Sequence, residues 1–356
     1  MGTRGVRAWA DSWWEMSVAV GDEVAPLLGA PVGSVSMLPS VTIASAVVMS
    51  CLDYGGARNR IVMIDGEFPS IRYVSESLGA RFGAEVVTVP SPRGDGLSAD
   101  EQRICDAIDD RTALVAISHV LFKSAFVLNV VPIAERCRRV GALLVLDAYQ
   151  SVGTLPVSVD ALGVDVLVGG VLKWLCGGPG GAFLFVRPEV RPRLKPSLTG
   201  WMAHPAPFAF EPPPMRYRDD AFRFLLGTPA VPALYAAREG LRIVRHADPE
   251  AIRPKSLRQT GRLLEQADAR GWRSATPREA SRRGGTACVD FDNALEVSRE
   301  LNVRDVLVDY RPGVGIRMSP HFYTKDAELD DAFAMIDEIR SSGAWRRWLD
   351  RPVVVT

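Results

Sequence analysis

The sequence predicts an α/β protein: a large unit with a mostly parallel sheet flanked by helices, followed by a smaller α+β unit at the C-terminal end. Short apolar runs bounded by turn signals recur at Ile61 to Asp65, Ala84 to Val89, Thr112 to Ile117, Ala142 to Leu146, Val164 to Val168 and Ala182 to Val186. Such runs read as strands buried on both faces, as in parallel sheets. Charged residues then stand just past two of these runs, Asp147 after the fourth and Lys173 after the fifth. Open α/β sheets bind their ligands at those carboxyl ends.

Composition sets the bounds. With 356 residues, 47% of them hydrophobic, the chain has material for a large core and a second domain. Lys plus Arg and Asp plus Glu both number 42, so no global field draws nucleic acid or an anionic membrane. The five cysteines, Cys51, Cys105, Cys137, Cys176 and Cys288, are odd in number and lack a CxxC pair, as expected of reduced thiols in a cytoplasmic protein. The start, MGTRGVRAWADSWWEMS, has no apolar signal core, and no stretch reaches the length of a membrane span. The histidines, His119, His204, His246 and His321, are too scattered to suggest a metal site.

Taken in order, Val6 to Met16 reads as an amphipathic helix carrying Trp9, Trp13 and Trp14, a cluster that either binds a ligand or packs against another domain or subunit. Residues 1–30 are expected to pack on the small domain or a partner. Ser40 is placed to cap an apolar helix running to about Leu52, and the free amides of its first turn, at Val41 and Thr42, form an anion site. Phe68 follows the Ile61 strand, Ser118 and His119 follow the Thr112 strand, and Val131 to Val140 is a helix. Gly200 to Pro214 is a proline-rich loop without helix or strand period, and loops of that length are functional or cross to a partner. Gly227-Thr228-Pro229 opens a helix reaching about Arg245, with Pro229 suited to its first turn. Beyond His246, short strands at Thr286 to Phe291 and Val306 to Tyr310 alternate with charge-rich helices, and Arg317 stands in a further strand-like run.

The pair Asp147 and Lys173 suits pyridoxal 5'-phosphate (PLP), which needs a lysine to condense with its aldehyde and a carboxylate to keep its pyridine nitrogen protonated. The pattern Asp147-x-x-Gln150-Ser151-x-Gly153, then Pro156, Asp165, Lys173 and Gly178-Pro179-Gly180-Gly181, resembles the core of the class V aminotransferase family of fold-type I PLP enzymes. Glu67-Phe68-Pro69-Ser70, Ser118-His119-Val120, Lys173-Trp174-Leu175, Gly200-Trp201 and Gly227-Thr228-Pro229 resemble its kynureninase branch. The likeness covers roughly residues 35 to 240 and thins beyond.

The resemblance implies the fold-type I transferase fold, with a large PLP-binding domain over residues 31–246 and a small domain over 247–356. It implies that the turn of Val41 and Thr42 holds the cofactor phosphate, that Phe68 stacks on the ring and that Ser118 lies near it. Gln150 would donate to the phenolic oxygen. His119 is either a cofactor neighbour or a hydrogen-bonded core residue. Trp201 and Thr228 are assigned to the neighbouring subunit's site, which implies a homodimer, and Arg317 to the α-carboxylate of an amino-acid substrate; taken alone, Arg317 would be a surface residue. Ile71, Gln150 and Leu172 depart from the kynureninase pattern, which has aspartate, histidine and tyrosine there. The function expected is kynureninase-like hydrolytic Cβ–Cγ cleavage of a kynurenine-type substrate. Transamination or lyase chemistry on another amino acid, and a non-catalytic scaffold, are the alternatives. A cysteine desulfurase is disfavoured because the stretch around Arg317 lacks a cysteine at the nucleophile's place.

Overall fold

A computed structural model describes residues 2–351. Its strands are β1 (Val35–Leu38), β2 (Arg60–Ile64), β3 (Glu85–Val89), β4 (Thr112–Ser118), β5 (Leu143–Asp147), β6 (Val166–Gly170), β7 (Ala182–Val186), β8 (Ala287–Val289), β9 (Asp309–Arg311) and β10 (Gly315–Met318). Its helices are α1 (Met16–Val24), α2 (Val41–Met49), α3 (Pro69–Phe82), α4 (Glu101–Ala107), α5 (Val131–Val140), α6 (Val159–Leu162), α7 (Val231–His246), α8 (Pro249–Ala269), α9 (Ala294–Val303) and α10 (Asp326–Ser342). Among the described residues no helix is long and apolar enough to cross a membrane.

The first seven strands form one sheet in the order β1-β7-β6-β5-β4-β2-β3, parallel from β6 to β3, with β7 antiparallel to both of its neighbours. The expected α/β architecture is therefore present. Side-chain alternation along each strand feeds two cores. On β4, Val115 and Ile117 join Ile104, Ile133 and Leu241 on one face, while Leu114 and Ala116 join Val47, Val48 and Ile71 on the other. Both faces are covered, as a parallel sheet requires. The last three strands form an antiparallel sheet in the order β8-β10-β9, whose own core gathers Leu263, Val297, Ile316, Phe333 and Ile336.

Several expectations are corrected. Val6 to Met16 is not one α-helix: Trp9–Trp13 forms a wider π-type turn that buries none of its residues, and the regular helix runs Met16–Val24. That helix packs on β1, at the edge of the large sheet, and on α7. Pro229 precedes α7, and Pro232 takes the first-turn place instead. β6 does not stop at Val168, because Gly169 and Gly170 still pair with Phe183 and Ala182 of β7. Both glycines are there for space: a Cβ would stand 2.3 Å from the Phe183 ring at Gly169 and 2.3 Å from the Tyr149 ring at Gly170.

Candidate active site

The carboxyl ends of β4, β5 and β6 and the N-terminus of α2 converge on a cavity of about 270 Å³. It is lined by Val41, Thr42, Phe68, Ser118, Asp147, Gln150 and Lys173, with Ser40, Tyr149 and Phe122 beside them. The three departures, Ile71, Gln150 and Leu172, all line it too.

Each wall follows from local structure. Ser40 is extended and its hydroxyl accepts from the Ile43 N–H at 3.3 Å, which starts α2 at Val41. Losing such a cap costs about 1 kcal/mol. The first-turn amides of Val41 and Thr42 have no acceptor within their helix and form the positive end of its dipole. Asp147 is the last residue of β5 and is 8% exposed. Its Oδ1 accepts from the Tyr149 N–H at 2.8 Å, whereas Oδ2 meets no hydrogen-bond donor among the described residues. Burial pushes this carboxyl up to about 6, and the Tyr149 N–H and Lys173 pull it partly back.

Lys173 sits three residues past β6, solvent-accessible at the cavity yet crowded by protein around its stem, and its Nζ lies 5.0 Å from the centre of the Tyr149 ring. Burial, then the charge of Arg317, lowers its pKa. More of it is therefore neutral at a given pH than for a free lysine. α7 lies over the loop carrying it, an approach allowed by Gly240, where a Cβ would stand 2.4 Å from the Leu175 carbonyl oxygen. The Gln150 carbonyl accepts from the Trp174 indole N–H at 3.2 Å, which leaves its amide NH₂ to face the cavity. Phe68 and Phe122 meet edge to face at 5.3 Å as a side wall.

Four expected site residues lie outside the lining. His119 follows Ser118, so strand alternation turns it away. It is buried, its Nδ1 has no hydrogen-bond partner among the described residues, and burial lowers its pKa to about 4. Trp201 and Thr228 are exposed on one surface, because Gly200 closes onto Leu226, where a Cβ would stand 2.3 Å from the carbonyl oxygen. Trp201 joins Trp14 at 5.0 Å and Phe208 at 5.6 Å in an aromatic patch, with Phe208 64% exposed. Arg317 is tied to Asp309, its directly paired neighbour on β9, by Nε at 2.7 Å and by Nη2, and to the Phe122 carbonyl by Nη1.

Two residues beside the cavity carried no functional reading from sequence. Tyr149, whose ring lies under Lys173, was legible as the member of the Asp147-x-x-Gln150 turn between the two polar groups. Glu67 is 4% exposed and bonded to Ser118, through the N–H at 2.8 Å and the hydroxyl at 2.6 Å. No sequence signal marks its burial.

The cavity at these strand ends, with a lysine, a buried carboxylate and a helix N-terminus, is that of a fold-type I enzyme. The chain belongs to the family described as Aminotransferase class-V, whose profile matches residues 6–317. Among curated relatives it is 30% identical to kynureninase of Burkholderia pseudomallei (strain K96243), over 96% of this chain and 83% of the relative. It is 34% identical to the uncharacterized aminotransferase YcbU of Bacillus subtilis (strain 168), over 89% of this chain and 81% of that one. A solved structure of a cysteine desulfurase from Thermococcus onnurineus NA1 shares the fold with a TM-score of 0.80 at 19% identity, covering 92% of this chain and 84% of that one.

Proposed function

We propose that this chain is an amino-acid-processing enzyme that carries PLP on Lys173, with kynureninase-like hydrolysis as its reaction. Members of the class V family are PLP-dependent, and the residues present fit that group. The observation that carries the reading is the cavity itself, which sets the α2 N-terminus, the free Oδ2 of buried Asp147, the Gln150 amide and Lys173 around one space. PLP, when bound, draws electrons from bonds at the substrate α-carbon. The amides of Val41 and Thr42 and the Thr42 hydroxyl hold its phosphate. Asp147 would keep a proton on the ring nitrogen, Gln150 would donate to the phenolic oxygen, and Phe68 would cover the ring. Lys173, whose pKa burial and the charge of Arg317 lower, would be the amine that holds the cofactor and the base that carries the α-proton.

Arg317 is proposed to take the substrate carboxylate. Its guanidinium already grips a carboxylate side-on, that of Asp309, and its charge reaches Lys173. Arg317→Lys is expected to raise KM or lower kcat/KM by about tenfold or more, since an ammonium does not reproduce a two-pronged grip. Asp309 keeps Arg311 at 3.0 Å, so the fold should survive. Unchanged kcat/KM with an unchanged cofactor spectrum would remove Arg317 from the site.

The exposed rings of Trp201 and Phe208, packed on half-buried Trp14, together with exposed Thr228, support a homodimer whose sites are completed across the interface. Mixing Lys173→Ala subunits with a Trp201→Ala, Thr228→Ala double variant should restore roughly a quarter of wild-type activity, because half of randomly mixed dimers are hybrids with one intact site of two. With both parents inactive and subunit exchange verified, no recovery sinks the shared site.

Cysteine desulfuration is not supported. Cys288 lies on β8, its thiol donates to the Lys123 carbonyl at 2.8 Å, and burial pushes it up to about 11, which leaves no thiolate to act as nucleophile. A second reading, transamination or lyase chemistry on another amino acid, is favoured by the apolar Ile71 and Leu172 in the cavity wall, where the kynureninase pattern has polar groups. Incubating the PLP-loaded protein with L-kynurenine and with 3-hydroxykynurenine, each with and without pyruvate, and with alanine plus 2-oxoglutarate decides between them. Hydrolysis releases alanine and a second acid without an acceptor; transamination requires the 2-oxo acid. Product masses read the outcome.

A further inference from the structure

Glu67, between β2 and α3, is the buried acid beside the cavity that none of these steps uses. Among the described residues its carboxyl oxygens hydrogen-bond Ser118 alone: Oε1 takes the Ser118 N–H at 2.8 Å, and Oε2 lies 2.6 Å from Ser118 Oγ. Among the described residues no cation pairs with it. The titratable group facing it is Asp147 on β5, whose backbone is in register with Ser118 on β4; Lys173 acts on Asp147 from across the cavity. Two anions at adjacent strand ends, one of them with no cation, are costly to bury together.

Building on the PLP reading of the cavity, we propose that Glu67 is a proton-holding positioning residue whose neutral carboxyl donates to Ser118 Oγ, so that the serine hydroxyl turns its own proton into the cavity. A 2.6 Å contact between two oxygens serves either direction of donation, and the charge of the acid decides which one holds. Burial pushes Glu67 up to about 8, the two Ser118 bonds pull it down, and Asp147 raises it further. At neutral pH the acid therefore keeps its proton, Asp147 stays the single anion beside the cavity, and Ser118, which lines it, is a donor. When Ser118 passes its proton to a basic atom of the bound amino acid or cofactor, Oγ takes the Glu67 proton and a carboxylate is left. Two O–H bonds shift along the chain with no change of oxidation state. The cavity thus has a second proton-carrying group besides Lys173, on the β4 wall.

Glu67→Gln mimics the neutral acid: its carbonyl accepts from the Ser118 N–H and its amide donates to Oγ. Infrared difference spectra of the cofactor-free protein should show a protonated carboxyl band at pH 7, where Asp147 is mostly ionised, that is lost by pH 9 and is missing from Glu67→Gln. In the PLP-loaded protein, the pH titration of cofactor absorbance should carry a step near pH 8 that both Glu67→Gln and Ser118→Ala abolish, which a merely structural role would not do. Should Glu67→Gln not fold, ¹³C-glutamate labelling of the wild type and of Ser118→Ala assigns the same band. The proposal is overturned by the absence of such a band at pH 7, or by a cofactor titration in Glu67→Gln identical to wild type. Failure of the PLP reading looks different: no cofactor absorbance develops, while the carboxyl band stands.

Discussion

Lys173→Ala protein is expected to fold, to retain no PLP after borohydride treatment and denaturation, and to lose about 10⁴-fold or more in turnover. Retention of the fold follows from position: the side chain lies at the solvent-accessible cavity rather than in either core, so its removal opens no void. The loss of function follows from electrostatics. A lysine crowded by protein and facing Arg317 titrates below its ordinary range, so an amine ready to condense with an aldehyde is present at lower pH than in free lysine. The same sign makes attachment weaken as pH falls and the amine gains its proton. No neighbour can substitute, because Lys123 lies against Phe122, on a different wall from the loop after β6. Borohydride fixation of cofactor in the alanine variant would show that another amine holds it, and the reading of the cavity would have to change.

Much of this arrangement was legible in the sequence, for identifiable reasons. α5 and β7 fall on the residues read for them, Val131–Val140 and Ala182–Val186, since α5 stops at Gly141 and β7 is bounded by Gly181 and Arg187. Asp147 stood out because it ends a buried run directly, and Lys173 because it stands between the glycines that close the next run and the Gly177-Gly178-Pro179-Gly180 turn. What stayed hidden was set by contacts distant in sequence. Gly169 and Gly170 read as a strand terminator, but the rings of Phe183 and Tyr149 require them inside the strand. Glu67 belongs to a residue type that defaults to the surface, and only the end of β4 reveals why it is buried. The partner of Arg317 is fixed by the β9–β10 register, which nothing local specifies. His119 is a different case: its sequence left a cofactor neighbour and a core residue both open, and its burial outside the cavity lining follows from how the chain leaves the end of β4.

Asp147→Asn should act in opposite directions on stability and on function. The carboxyl has an ordinary value of 3.8 and is raised to about 6 in the folded protein, chiefly by burial. Between those two pH values the folded chain binds more protons than the unfolded one, so stability falls as pH rises through that window and stays lower above it. A rise of about two units corresponds to on the order of 3 kcal/mol at neutral pH. In cofactor-free protein, asparagine removes that cost while keeping an acceptor for the Tyr149 N–H, so the variant should unfold at a higher temperature than wild type at pH 7.5, with the gap shrinking toward pH 4. With PLP bound the order should reverse, because the protonated ring nitrogen supplies the cation that Oδ2 lacks, and only the aspartate gains from it. Turnover should drop by roughly 10² to 10⁴, the range that a misplaced proton costs in acid–base catalysis. Thermal unfolding of both proteins, with and without PLP at pH 5 and pH 7.5, checks the argument. An asparagine variant that is less stable than wild type without cofactor at pH 7.5 would mean that Asp147 already has its counter-charge in the empty cavity.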